Sequence, residues 1–251
     1  MGVIRLTIAY DGGPFAGWAA QPDRRTIQAE LEGVLETILQ HPVALTVAGR
    51  TDAGVHAWGQ VASLTLDGEP PDGLARRMNS MLPPEIAVLE AKAAPDGFDA
   101  RRDARSRTYC YWVLAGEVRH PLERDRALWW PYPVDREALD RCAAMVVGRH
   151  DFTAFTPTQT EHVRFERDVL QAEWRAHRLA EPFKGELLEF WIEADAFMRH
   201  MVRVLVGTML EVGTGRRSPD DFGSLLRGAP RERAGETAPA HGLYLASVRY
   251  S

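Results

Sequence analysis

The stretch TIQAELEGVLETILQ, Thr26 to Gln40, organises the segments on either side of it. Ile27, Leu31, Val34, Leu35, Ile38 and Leu39 fall at i, i+4, i+7, i+8, i+11 and i+12, which is one face of an α-helix. Thr26 is the expected N-cap, because its hydroxyl can accept from a backbone N–H of the first turn. A helix with one apolar face must bury that face against something, and the neighbouring sequence supplies strands. Ile4 to Tyr10 reads as a strand ending in a turn at Asp11-Gly12-Gly13, and Val43 to Val47 and Gln60 to Leu66 read as strands after the helix. Pro71 to Met81 is expected to be helical and Ile86 to Ala93 a strand. The order β-α-β-β-α-β predicts a split αβ sandwich on a mixed sheet.

The second half repeats that order without repeating the sequence. Phe98 to Arg107 (FDARRDARSR) is polar and basic and reads as a linker or surface crossing. Thr108 to Leu114 is a strand rich in aromatic and β-branched residues. Asp135 to Val147 is a helix with Leu139, Cys142, Ala143 and Val146 on one face and Gly148 as its stop. Arg167 to Ala176 and Glu186 to Ala194 read as strands, and Met198 to Val212 as a helix. Ser218-Pro219 opens a short helix with a cap and a proline at the first position. Leu243 to Tyr250 is the closing strand.

Composition narrows the classes. With 251 residues, 45% hydrophobic and 26% charged, the chain can bury a sizeable core and is an ordinary globular protein. The net charge of −5 excludes a uniformly basic surface. Arginines nevertheless cluster at Arg101, Arg102, Arg105 and Arg107, at Arg199 and Arg203, and at Arg216, Arg217, Arg231 and Arg233. Arginine favours bidentate contacts with phosphate and carboxylate. Cys110 and Cys142 are too few for a disulfide framework or a zinc cage. No segment approaches the ~20 apolar residues that span a bilayer, and the expectation is a cytoplasmic protein. HExxH, CxxC, GxGxxG, Walker and GxSxG patterns are all absent, and the histidines have no metal-ligand spacing, so neither metal nor nucleotide cofactor is expected.

The loop AGRTDAGVHAWGQ, Ala48 to Gln60, concentrates the reactive residue types. Asp52 is its one carboxylate, and an ionised, fixed aspartate can serve as nucleophile or general base. Spacing alone favours a blander role, an Asx-turn aspartate paired with Arg50. His56 could be an acid–base group or a hydrogen-bonded structural histidine. Tyr109 and Tyr111 share one face of their strand, where they could fill a core or stack bases. Arg203, flanked by Val202 and Val204, needs an anionic partner if enclosed.

Taken in order, these stretches resemble the tRNA pseudouridine synthase A family over nearly the whole chain. YDG…GW at Tyr10 to Trp18, TIQAELE at Thr26 to Glu32 and GRTDAGVHAWGQV at Gly49 to Val61 look like its first blocks. FDAR at Phe98 to Arg101, RTYCY at Arg107 to Tyr111, HDFTAF at His150 to Phe155, FMRHMVRVLVGTMLEVGTG at Phe197 to Gly215 and APAHGLYLASVRY at Ala238 to Tyr250 follow. Ala19 stands where the family often has glutamine, and the loop Thr156 to Val163 is unlike the family pattern.

The resemblance implies an α+β fold of two similar α/β-sandwich halves, 1–104 and 105–251. They would share a mixed, largely antiparallel sheet with helices packed on one side and a central active-site cleft. It implies isomerisation of uridine to pseudouridine at positions 38, 39 and 40 of the tRNA anticodon stem-loop, by a homodimer without cofactor or metal. Asp52 would be the nucleophile, Tyr109 would stack on the target uracil and Arg203 would pair with the aspartate. Arg50 would bind RNA, Leu243 would form an apolar wall, and His56, Gln60, Phe98 and Arg101 would be lesser substrate-binding residues. A two-carboxylate glycosidase and a non-catalytic RNA-binding module are the competing readings.

Overall fold

The computed structural model describes residues 2–66, 70–159 and 163–250. They form two compact units, one running to residue 105 and resuming at 244, the other spanning Ser106–Leu243. In the first, β1 (Gly2–Tyr10) lies between β3 (His56–Leu66) and β4 (Ile86–Ala94) and is antiparallel to both. The two-residue β2 (Thr46–Val47) pairs antiparallel with β3. The closing strand β10 (Leu243–Arg249) runs parallel to β3, with Tyr244 opposite His56.

Alternation along β1 puts Ile4, Leu6, Ile8 and Tyr10 in the core, and α1 (Ile27–Leu39) contributes Ile27, Leu31 and Leu35. At about 1.5–3 kcal/mol per fully buried aliphatic side chain, the three helix residues contribute roughly 5–9 kcal/mol before entropy. The Thr26 hydroxyl accepts from Ala29 N, and Gln40 ends the helix in the left-handed region at φ 62°. A short α2 (Leu74–Asn79) completes the unit.

In the second unit β5 (Ser106–Ala115), β9 (Glu186–Ala194), β8 (Glu166–Arg178) and β7 (Gly148–Asp151) form an antiparallel series in that spatial order. The short β6 (Leu128–Trp130) is parallel to β5. The helices are α3 (Arg136–Val146), capped by the Asp135 carboxylate, α4 (Met201–Gly213) and α5 (Pro219–Leu225), capped by Ser218. Each unit therefore combines three antiparallel strand pairs with one parallel pair, and the fold is α+β on mixed, mostly antiparallel sheet.

Four readings change. The closing strand packs with the first unit rather than the second, a non-local pairing that element order does not reveal. β6 and β7 were not expected, being three and four residues long with no apolar alternation. The helix expected from Met198 begins at Met201, because His200 takes a left-handed conformation at φ 63°. Phe98 to Arg107 is no loose linker. The Asp99 carboxylate accepts from Arg101 N and Arg102 N, Ala100 N donates to the Ser63 hydroxyl, and Tyr250 donates to Ala100 O. Of the loop Thr156 to Val163, residues 160–162 lie outside the described residues.

Candidate active site

Asp52 occupies the first position of a tight turn. Val55 N donates to Asp52 O at 3.2 Å, and Gly54 at φ 78° supplies the positive φ that a type II turn needs at its third position. Thr51 and Val55 are buried on either side, at 7% and 3% exposure, while Asp52 is partly exposed. Asp52 is thus more accessible than the residues that flank its turn. Arg50 is exposed and, among the described residues, forms no ion pair with Asp52. Asp52 is thus a turn residue, as its spacing suggests, with Arg50 exposed beside it.

The loop is tied down by residues from the YDG…GW block. Tyr10, at the end of β1, shares a 2.8 Å hydrogen bond with the Thr51 hydroxyl, and Gln60 Nε2 donates both to Tyr10 Oη (3.3 Å) and to Gly49 O (2.7 Å). Burial pushes the Tyr10 phenol up to about 12, against the smaller opposing effect of the Thr51 and Gln60 hydrogen bonds. It therefore stays neutral, able to donate and accept. Trp18 N donates to Thr51 O, and a β-carbon on Gly17, at φ 100°, would lie 2.9 Å from that same oxygen. A β-carbon on Gly12 would lie 2.0 Å from Val55 O. Only glycine lets these backbones touch. The block is in turn anchored by α1, whose first amides, Ile27 N and Gln28 N, donate to Gly17 O and Trp18 O.

Gln60 has no exposed surface, and its side-chain bonds hold the loop. His56 opens β3 rather than lying in the loop and is also buried, at 3%. Phe98 packs on Tyr250 at 5.0 Å and against the Ala48, Val61 and Ala100 cluster, which makes it an anchor of the first unit. Arg101 is exposed. Tyr10, Thr51, Gly12 and Gly17 were not singled out from the sequence. The signal was the YDG…GW block itself, whose glycines have no purpose until the Asp52 turn is placed against them.

In the second unit Tyr109 and Tyr111 do share a face of β5 but differ in role. Tyr111 is fully buried, donates to Pro239 O at 2.8 Å, and packs so closely on Gly242 that a β-carbon there would come within 2.7 Å of its ring. Tyr109 is 8% exposed and stands edge-on to Phe197, with ring centroids 4.9 Å apart. Arg203, in the first turn of α4, is only partly buried. Its Nε donates to Ala238 O at 2.7 Å while Ala238 N donates back to Arg203 O, which fixes the guanidinium plane. Leu243 is buried at 7% at the end of this clipped segment.

The arginine clusters divide. Arg199 is exposed and precedes α4, so it does not share that helix with Arg203. The Arg216 to Arg233 region is largely consumed internally. Arg217 pairs with Glu211 at 2.9 Å and with Asp221, Arg233 pairs with Asp221, and Arg231 donates to Ala234 O, Gly235 O and the Thr237 hydroxyl. It is not an open phosphate surface. Burial raises the thiols of Cys110 and Cys142, the latter to about 12, so both are inert apolar residues. No helix among the described residues is long and apolar enough to cross a membrane.

The chain matches the family model described as tRNA pseudouridine synthase over residues 6–102 and 142–251. It is 45% identical to the tRNA pseudouridine synthase A of Frankia casuarinae, covering 98% of this chain and 89% of that protein. The enzyme of the same name from Halalkalibacterium halodurans is 41% identical, covering 96% and 89%, and that of a Geobacillus species 38% identical, covering 98% of each. The family model covers the Asp52 turn, its clamp and the Arg203 element, the relatives match over nearly the whole chain, and the chain belongs to the tRNA pseudouridine synthase family.

Proposed function

We propose that the protein converts uridine to pseudouridine at positions 38, 39 and 40 of the tRNA anticodon stem-loop, with Asp52 as nucleophile. One observation carries the reading. A partly exposed carboxylate sits on a type II turn whose neighbours on both sides are buried and hydrogen-bonded. Fixing a nucleophile before the substrate arrives removes much of the entropic cost of reaction. The isomerisation cleaves the N-glycosidic bond, turns the uracil and rejoins it through C5, with no net redox change, so it needs no cofactor. Asp52 opens the sequence by attacking C1′ or uracil C6, or by deprotonating C2′.

The other roles follow the resemblance. Tyr109 stacks on the target uracil, offsetting part of the few kcal/mol that extruding a base costs. Arg203, its guanidinium plane set by the bond to Ala238 O, is the partner of the aspartate. Leu243 walls the base, and Arg50 and Arg101, both exposed, contact the RNA backbone. The enzyme acts as a cytoplasmic homodimer that binds the anticodon arm.

The test compares wild type with Asp52→Asn on an unmodified tRNA transcript, with pseudouridine mapped by position. Expected are modification at 38, 39 or 40 by wild type and none by the variant, with tRNA binding kept. Equal activity in both proteins would sink the nucleophile assignment.

A further inference from the structure

His56 is the one ionisable residue of the loop that the proposed reaction leaves unused. It stands four residues beyond Asp52, directly after the turn, and is 3% exposed. Its ring stacks on Tyr244 at 4.8 Å, and Tyr244 stacks on Trp58 at 4.5 Å. The ring is therefore held in place by packing, with little surface left to meet a substrate. Its Nδ1 lies 3.1 Å from Gly12 N and 3.1 Å from Asp11 Oδ1.

Those two neighbours make opposite demands. A backbone amide can only donate, so Gly12 requires an unprotonated Nδ1, whereas an ionised Asp11 carboxylate can only accept and requires a protonated one. Asp11 has other means of satisfaction. Its Oδ1 already accepts from Gly13 N at 2.9 Å, and its side chain is 49% exposed to water. Gly12 is buried and its N–H donates to His56 Nδ1, so it has no such freedom. The Gly12 bond therefore decides the state of the ring, neutral with its hydrogen on Nε2.

We infer that His56 is a positioning residue: its neutral Nδ1 accepts the Gly12 N–H and latches the Asp52–Val55 turn onto the turn that ends β1. It is neither the acid nor the base of the reaction. The latch acts beside the closest backbone contact in the loop, where the Gly12 α-carbon meets the Val55 carbonyl. Releasing it lets the turn, and the carboxylate on it, drift from the reacting geometry. This inference rests on Asp52 being the nucleophile.

The experiment compares His56→Asn, His56→Gln and His56→Leu. Asparagine keeps an acceptor at the δ position, glutamine moves it to the ε position, and leucine fills space with none. Single-turnover rates of pseudouridine formation, KM for a tRNA transcript and Tm are measured on each. The Asn variant is expected within about threefold of the wild-type rate, and the Gln and Leu variants at least roughly fivefold slower, the loss expected for one hydrogen bond. KM should stay within about twofold, since the latch aims the carboxylate and does not bind the RNA. An Asn variant as slow as Leu at equal Tm would overturn the latch, and rescue by Gln but not Asn would assign the working atom to Nε2. If Leu fails to fold, the Asn–Gln pair still decides. Asp52→Asn serves as the reference. Full activity there removes the nucleophile reading, whereas a dead Asp52→Asn with no rescue by His56→Asn removes the latch alone.

Discussion

Gly12 and Gly207 stand in different units, and at each a β-carbon would fall 2.0 Å from a backbone carbonyl oxygen, that of Val55 at Gly12 and of Glu236 at Gly207. Both glycines let a segment bearing candidate site residues lie flat on its support. The supports differ. Around Gly12 they are directional and polar: Tyr10 to Thr51, Gln60 to Gly49, His56 to Gly12. Around Gly207 the support is α4, where Val204, Leu205, Val206 and Met209 are fully buried, and Arg203 and Thr208 hydrogen-bond the overlying segment at Ala238 and Gly235. A few hydrogen bonds contribute little net stability but fix direction. Burying apolar helix side chains contributes stability at about 1.5–3 kcal/mol each without fixing direction in the same way. The first unit thus aims a turn, and the second holds a core together.

That distinction breaks most visibly at the glycines themselves. Gly207→Ala forces a methyl group into the Glu236 backbone and should cost about 3 kcal/mol or more, read as a lowered Tm and loss of soluble protein. Gly12→Ala meets an equal clash with Val55 O and should lower Tm as well, but its distinguishing effect is to displace the Asp52 turn, lowering kcat/KM of the folded protein by about a hundredfold or more. A Gly12→Ala enzyme with activity close to wild type would mean that the clamp does not aim the turn.

The polar support can be dissected next. Gln60→Leu removes the side-chain donor to Gly49 O and one partner of Tyr10, and should lower stability by about 1–3 kcal/mol. Tyr10→Phe should cost about 1 kcal/mol at neutral pH, with a second signature in alkali. Burial raises the Tyr10 phenol from 10.0 to about 12 in the fold. A folded value above the unfolded one means this stabilisation is complete below about pH 10 and is lost as pH rises towards 12. Denaturant titrations across that window should show a steeper fall for wild type than for Tyr10→Phe. Parallel curves would mean that Tyr10 is not the group titrating.

Much of this was legible in the sequence because local rules were obeyed. Thr26 caps α1 where the six-residue apolar face begins, and Ser218 with Pro219 opens α5. The strands β1 and β9, by alternation, and β5, by its aromatic and β-branched content, lie close to their expected limits. What escaped was non-local. The pairing of β10 beside β3 and the contact of Gly12 with Val55 join residues far apart in sequence, and no periodicity records such contacts. Alternation places the start of the strand at Gln60 and His56 in the loop before it, yet β3 begins at His56. Arg50 is near Asp52 in sequence, but its side chain is exposed and makes no ion pair with it among the described residues.

The smallest effect distinguishes two arginines that look alike in the sequence. Arg50 is exposed beside the Asp52 turn, whereas Arg217, 15% exposed at its side chain, is paired with Glu211 and Asp221. An arginine that neutralises an RNA phosphate contributes to the salt dependence of binding, and one already neutralised by carboxylates does not. Arg50→Ala should weaken tRNA binding a few-fold and make the slope of log K against log salt shallower by about one, with Tm unchanged. Arg217→Ala should leave that slope alone and lower Tm by about 2–4 °C, as expected for roughly 1 kcal/mol in a chain of this size. Filter binding of tRNA between low and high salt, with thermal melts of the same preparations, separates the two. If Arg217→Ala flattens the slope as much as Arg50→Ala, its carboxylate partners release it to the RNA, and the charge balance within the Arg216 to Arg233 region is not what keeps it off the phosphate backbone.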